Sequence, residues 1–368
     1  MGNNTNEVLI GDIVNQAVAR PSEEERVRME RLELLKSMRI STQTEVVPER
    51  YALSVDGVGI FALGDIHGLK GKQKSGKSAV LKVCSAALLK GEQFRVKSEL
   101  EEPVVLFIDT EQQAADVKLV VNEVKQMSSV DDEYIDSHLF LYTLRRRSYD
   151  SLLEDTRLLI DIHRPQVVFI DGLVDYVASF NDEVLSRQLI HELLQICEDF
   201  HCAVVNVLHE NKASDDENMR GHLGTVLAQK AGSVLKCSKD KRGLINVTCP
   251  DSRHGQMPSW NIMFDAEGHL MDADLMHQQE VQAAKQQRVE QRQAERELVI
   301  QQRLDVTLGI IRSRSGSIAR NELTQCLVEQ LGLSRPVVSK FITQMVKDEK
   351  LFESGKHVMD SNDRVLPF

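Results

Sequence analysis

The run Gly71-Lys-Gln-Lys74-Ser75-Gly76-Lys77-Ser78-Ala79 spells GxxxxGKS, and its residue types suit the holding of a triphosphate. Gly71 and Gly76 let the backbone turn so that successive N–H groups, those of Lys74 and Ser75 among them, point inward at a β-phosphate. Lys77 brings a point charge to the β- and γ-phosphates, and Ser78 offers its hydroxyl to Mg²⁺. The helix that starts there, with Ala79 in its first turn, adds its positive dipole end. An apolar strand precedes the run and a helix striped by Val80, Leu81, Val83, Ala86 and Leu88 follows it, a context that a chance match lacks. ATP and Mg²⁺ are the expected cofactors.

Three further residues stand at the ends of apolar runs. Asp171 closes Val167-Val-Phe-Ile170, where a carboxylate can hold the water shell of the magnesium. Gly172 follows it, so the group that polarises the attacking water must come from elsewhere. Glu111 is the candidate, two residues past the run Val104–Asp109, although a helix cap or a surface carboxylate would fit the same spacing. His209 ends Val204–Leu208 and can touch a γ-phosphate; a structural histidine is the plainer reading.

The elements that must position these groups are legible in outline. Short apolar strands at Ile66–Leu69, Val104–Ile108, Leu139–Leu144, Val167–Ile170 and Ala203–Leu208 alternate with helices starting near Lys77, Gln112, Asp150 and Asp182. Uniformly apolar strands alternating with helices imply an α/β domain whose mostly parallel sheet is covered on both faces. A hairpin at Asp56-Gly57 opens the domain, and an antiparallel section (Ser233–Cys237, Leu244–Cys249, Trp260–Phe264) closes it. Four segments result. Residues 1–50 form an arm with one helix starting at Pro21-Ser22, and residues 51–274 form the α/β domain. Residues 275–303, rich in Gln, Glu, Arg and Lys, read as a helical linker, and residues 304–368 as a winged-helix domain. On the third helix of that last domain Arg335, Ser339, Lys340 and Thr343 share a face suited to a DNA groove, and a protein-binding use is the alternative.

Composition bounds the rest. A net charge of -11 over 368 residues argues against a protein that coats nucleic acid, yet allows a basic channel on an acidic body. The six cysteines form no CxxC pair and read as reduced thiols. There is no long apolar run, and Met1–Asn6 has no signal-peptide layout, so the expectation is a cytoplasmic protein with no membrane partner.

Taken together, Gly71–Ser78, Phe107–Glu111, Val167–Asp175, Asn206–His209 and Arg220–Gly224 make residues 55–270 resemble the RecA-like ATPases, in particular the RepA/DnaB-type hexameric replicative helicases. The resemblance implies that Glu111 is the catalytic glutamate and His209 the γ-phosphate sensor. It implies further that Asn211–Gly224, with Lys212 and Arg220, is a loop contacting single-stranded DNA. Arg253 looks like an arginine finger that completes a neighbouring subunit's site. The expected assembly is a homo-oligomeric ring, a hexamer, with a primase as a further partner, in plasmid or mobile-element replication. Two departures stand out: Asp251 replaces the lysine usual two residues before the finger, and Lys212–Asn218 is acidic. Both favour the alternative of an ATP-gated DNA-bound regulator or loader that does not unwind. Arg145-Arg-Arg147 is a basic turn or a nucleic-acid or nucleotide contact.

Overall fold

The computed structural model describes residues 22–211, 218–253 and 255–363. The arm holds the expected helix, α1 (Glu23–Ser37). Ser22 caps it in a capping box with Glu25, which satisfies two of the N–H groups that a helix start leaves open. None of its residues is buried; Leu34 and Leu35 are each 56% exposed.

At Asp56-Gly57 the φ angles are 49° and 81°, left-handed at both positions as a type I′ hairpin requires. The turn joins β1 (Tyr51–Val55) to β2 (Val58–Ala62). Two short strands outside the sequence expectation, β4 (Glu92–Gln93) and β5 (Val96–Ser98), extend this hairpin into a four-stranded sheet ordered β2-β1-β5-β4. Strands of two and three residues are too short to show an alternation.

The main sheet is built from β3 (Ile66–Gly71), β6 (Val105–Asp109), β7 (Leu139–Thr143), β8 (Val167–Asp171), β9 (Ala203–His209), β10 (Ser233–Lys239), β11 (Ile245–Ser252), β12 (Trp260–Phe264) and β13 (Leu270–Asp272). Their order is β13-β12-β11-β10-β3-β9-β8-β6-β7, parallel from β10 through β7. Ser233–Cys237 pairs antiparallel with β11, as expected of the closing section, and its other edge runs parallel with β3. The chain returns to the starting edge through a helix before it enters β10, and a helical crossover delivers a parallel strand. The reversal comes one strand later, at β11.

The helices of this domain are α2 (Lys77–Lys90), α3 (Ala114–Ser128), α4 (Asp132–His138), α5 (Tyr149–His163), α6 (Glu183–Phe200) and α7 (Gly221–Lys230). Because strand side chains alternate, Val105 and Phe107 pack with α2 and α3, while Leu106 and Ile108 pack with α5, α6 and α7. Both faces are covered, which explains the continuous apolar runs.

The linker and the first helix of the C-terminal segment, expected as separate elements, are one helix, α8 (Ala273–Ser313), 41 residues long. It is exposed along 277–302 apart from its sequence-local contacts, then buries Leu304, Thr307, Ile310 and Ile311. The change of composition at Leu275 therefore marks where the helix leaves the body, and not a break in it. Beyond it come β14 (Ser317–Ala319), α9 (Arg320–Leu331), α10 (Arg335–Lys347), β15 (Leu351–Ser354) and β16 (His357–Asp360), with the three strands ordered β14-β16-β15. Leu323, Leu327, Val338, Ile342 and Val358 make their common core. The helix α10 stops at Lys347. Glu349 turns left-handed at φ 57°, and the Lys350 N–H closes on the Met345 carbonyl at 2.9 Å. Among the described residues no helix is long and apolar enough to cross a membrane, and all six cysteines are free.

Candidate active site

β3 delivers the chain to Gly71 and α2 begins at Lys77, so the loop between them lies at the end of the parallel strands. Here the two glycines are required by close approach. A Cβ on Gly71 would stand 2.4 Å from Ser75 Oγ and 2.5 Å from the Cys237 carbonyl. On Gly76, at φ 99°, it would stand 2.6 Å from the Ile245 side chain. Ser75 is buried, and its Oγ has no partner among the described residues, as expected of a hydroxyl that awaits a ligand. The Lys77 ammonium is buried too and donates to the carbonyls of Gly71 (3.0 Å) and Lys72 (2.9 Å). Its third bond reaches Nδ1 of His209, at 3.1 Å. An ammonium can only donate, so His209 accepts on Nδ1 and carries its proton on Nε2. Burial, with Lys77 and Arg220 nearby, holds the imidazole pKa below its usual value and keeps the ring neutral.

Asp171 ends β8 beside Asp109 of β6, its register partner. Its Oδ2 accepts from the Ser78 hydroxyl at 3.4 Å, which brings together the two residues expected at the metal. Burial first, and then the carboxylates of Asp109 and Glu111, push Asp171 up to about 7. A carboxylate in that condition gains most from a cation. Among the described residues no group of three or more His, Cys, Asp or Glu forms a ready metal cage. This donor set suits Mg²⁺, which takes one or two protein oxygens and fills its shell with phosphate oxygens and water.

Glu111 follows β6, and its neighbours free it for chemistry. Asp109, not Glu111, ties the turn, accepting from the N–H groups of Glu111 (2.9 Å) and Gln112 (2.6 Å). Glu111 is left with its carboxylate 45% exposed and Oε1 3.9 Å from His209 Nε2. Burial and the charges of Asp175 and Asp109 raise its pKa, with Lys77 opposing. The place after Asp171 cannot hold an acid, because a Cβ on Gly172 would come 2.0 Å from Thr110 Oγ1, and φ there is 111°. Thr110 in turn donates to Asp175 at 2.7 Å, and so carries Asp175 to the side of Glu111. Asp109, Thr110 and Asp175 had no role assigned from the sequence; only the register of β6 against β8 reveals them.

Residues 31–215 match the family model described as the AAA domain. The chain belongs to the AAA domain family. The match encloses the phosphate loop, Glu111, Asp171 and His209, and with β9 inserted between the strands of the loop and of Asp171 this is a RecA-like P-loop ATPase domain. No curated protein matches it. Among solved structures, the crystal structure of the RadB recombinase aligns with 16% identity over 58% of this chain and 93% of that chain, at a TM-score of 0.44.

The remaining expected residues of this AAA domain protein lie apart from the loop. Ser252 pairs with Ser233, which pairs with His67, so Arg253 sits at the sheet edge opposite Gly71. Its guanidinium donates to the carbonyls of Gln229 (3.2 Å) and Lys230 (3.1 Å) at the end of α7. Asp251, in the place of the usual lysine, faces Lys70 of the phosphate-loop strand at 3.8 Å. Arg220 heads α7: its N–H bonds the His209 carbonyl at 2.9 Å and its guanidinium lies over the Phe180 ring, 4.5 Å from the centroid. A cavity of 830 Å³ opens there, lined by Lys70, Asn181, Asn218, Arg220 and His222 among others. Lys212 lies outside the described residues. Arg335 and Lys340 are exposed on α10, in the C-terminal segment. Arg147 of the basic turn is paired with Asp155.

Proposed function

We propose that the chain is an ATP-dependent DNA helicase or translocase of the RepA type, working as a homo-oligomeric ring with its ATP sites between subunits. The observation that carries this reading is the position of Arg253, at the sheet edge opposite its own phosphate loop. A residue placed there serves an ATP site only if that site belongs to an adjacent copy. Lys77 and the loop N–H groups bind and orient the phosphates, and Ser78 and Asp171 hold Mg²⁺, whose charge offsets that of the phosphate oxygens. Glu111 orients and polarises the attacking water, and His209 adds its Nε2–H beside it. Lys77 and the adjacent copy's finger stabilise charge as it develops.

α7 links this site to the DNA side, with Arg220 bonded to His209 at one end and Arg253 bonded at the other. Arg220 and Lys212 are the proposed contacts to single-stranded DNA. The C-terminal segment is proposed to be a winged helix whose α10 presents Arg335 and Lys340 to a groove. A hexamer, a primase partner and a role in plasmid or mobile-element replication are part of the same proposal and rest on analogy.

The second reading, an ATP-gated regulator or loader, draws support from the Lys70–Asp251 pair and from the engagement of Arg253 with its own α7. Unwinding of a forked duplex, run beside mass measurement of the assembly, separates the two. The first reading expects ATP-dependent unwinding by an oligomer, and a monomer that never unwinds overturns it.

A further inference from the structure

Glu210 follows His209 at the end of β9, and no step described so far uses it. It is 6% exposed, and its Oε1 has no hydrogen-bond partner among the described residues. Its N–H donates to the Gly71 carbonyl at 3.2 Å, the same oxygen that accepts from the Lys77 ammonium at 3.0 Å. A bridge to Met219 fixes it from the other side. The backbone of Glu210 is thus rooted on the phosphate loop, and its buried carboxylate stands beside it. Burial holds the Lys77 pKa below its usual value, and nearby acidic groups, Glu210 among them, oppose that shift; burial pushes the Cys237 thiol up, and Glu210 adds to it.

A buried carboxylate with an unpaired oxygen costs more stability than a neutral side chain of the same shape would. Packing therefore gives no account of an acid here. Its charge does: away from water it attracts Lys77 and opposes any phosphate that Lys77 holds. We propose that Glu210 is a release element of the nucleotide site, a fixed negative charge behind the phosphate loop that weakens the grip on MgADP and speeds its departure. Glu210 favours the Lys77 bonds to Gly71, Lys72 and His209 over a bond from Lys77 to a phosphate. Product release limits turnover in many enzymes, so a charge of this sign sets the rate without touching the reacting atoms. The inference rests on the nucleotide-site reading and is independent of the DNA reading.

The sign of the effect tests it. Binding and dissociation of a fluorescent MgADP analogue are followed on the full chain, for the native protein and for Glu210→Gln, Glu210→Ala and Glu210→Asp, with melting temperature as a check on folding. Glu210→Gln and Glu210→Ala should bind MgADP roughly 5- to 10-fold more tightly, chiefly through slower dissociation, the scale of about one unit of charge interaction near a partly screened site. Glu210→Asp should stay near the native value. A residue of merely structural importance would loosen binding when replaced. Unchanged or weaker binding by a folded Glu210→Gln overturns the proposal alone. Failure of the native chain to bind MgADP overturns the nucleotide-site reading and the proposal with it.

Discussion

The Lys77 ammonium and Nδ1 of His209 are 3.1 Å apart, so the phosphate-binding cation is held by the residue expected to sense the γ-phosphate. A triphosphate draws Lys77 away, and His209 then keeps only its Nε2–H, which faces Glu111. His209→Ala should leave MgADP affinity within about threefold and lower turnover at least tenfold, the scale of a lost group that acts mainly in the transition state. Steady-state ATPase and equilibrium binding check it; a loss confined to binding contradicts it.

Glu111→Gln keeps the shape of the side chain and removes its basicity. Turnover should fall at least 100-fold while MgATP still binds, because Lys77, Ser78 and the loop are untouched. Phosphate release and nucleotide binding measure the two effects separately.

Asp171 links activity to stability through pH. Its carboxyl titrates near 4 in the unfolded chain and is raised to about 7 in the ligand-free fold. Between those values the native state binds the extra proton, so this group lowers stability as pH rises from about 4 to 7. Asp171→Asn should therefore stabilise the ligand-free protein at pH 8 by about 2–4 kcal/mol, should gain little at pH 4, and should abolish hydrolysis. Urea denaturation at the two pH values checks it. Magnesium needs the ionised form, so Mg²⁺-dependent tightening of nucleotide binding should weaken below pH 7.

Gly172 explains why no acid follows Asp171. Gly172→Ala would place a Cβ 2.0 Å from Thr110 Oγ1 at a φ of 111°. A loss of roughly 2–4 kcal/mol is expected, since backbone strain and a core clash add. A variant as stable as the native chain in urea would show that β6 and β8 separate here at little cost.

Much of this site could be read from the residues. GxxxxGKS carries its own geometry; Asp171 and His209 each end a strand apolar enough to be seen as buried, and Glu111 stands two residues past another. Other features were hidden because they depend on which strands are neighbours. Asp109 is the polar end of an apolar run, and it gains a role only when β6 is set beside β8. Glu210 gives no signal in spacing, and its meaning comes from a bond to Gly71, 139 residues earlier. The parallel pairing of β10 with β3, beside its expected antiparallel pairing with β11, is hidden for a similar reason: strand direction is set by the helix that precedes it, and α7 is only 10 residues long. The long helix α8 was divided in the sequence because its solvent-exposed part is polar all round, whereas its end carries an apolar stripe.

The role of Arg253 is the claim on which the shared site depends, and complementation tests it directly. Glu111→Gln and Arg253→Ala proteins are assayed for ATP turnover separately and after mixing. If the finger works between copies, each variant is inactive alone. Random mixing then gives native pairs at up to about a quarter of the interfaces, so the mixture regains a matching share of activity. Turnover by Arg253→Ala alone at the native rate, or a mixture as inactive as its parts, would contradict a site shared between subunits.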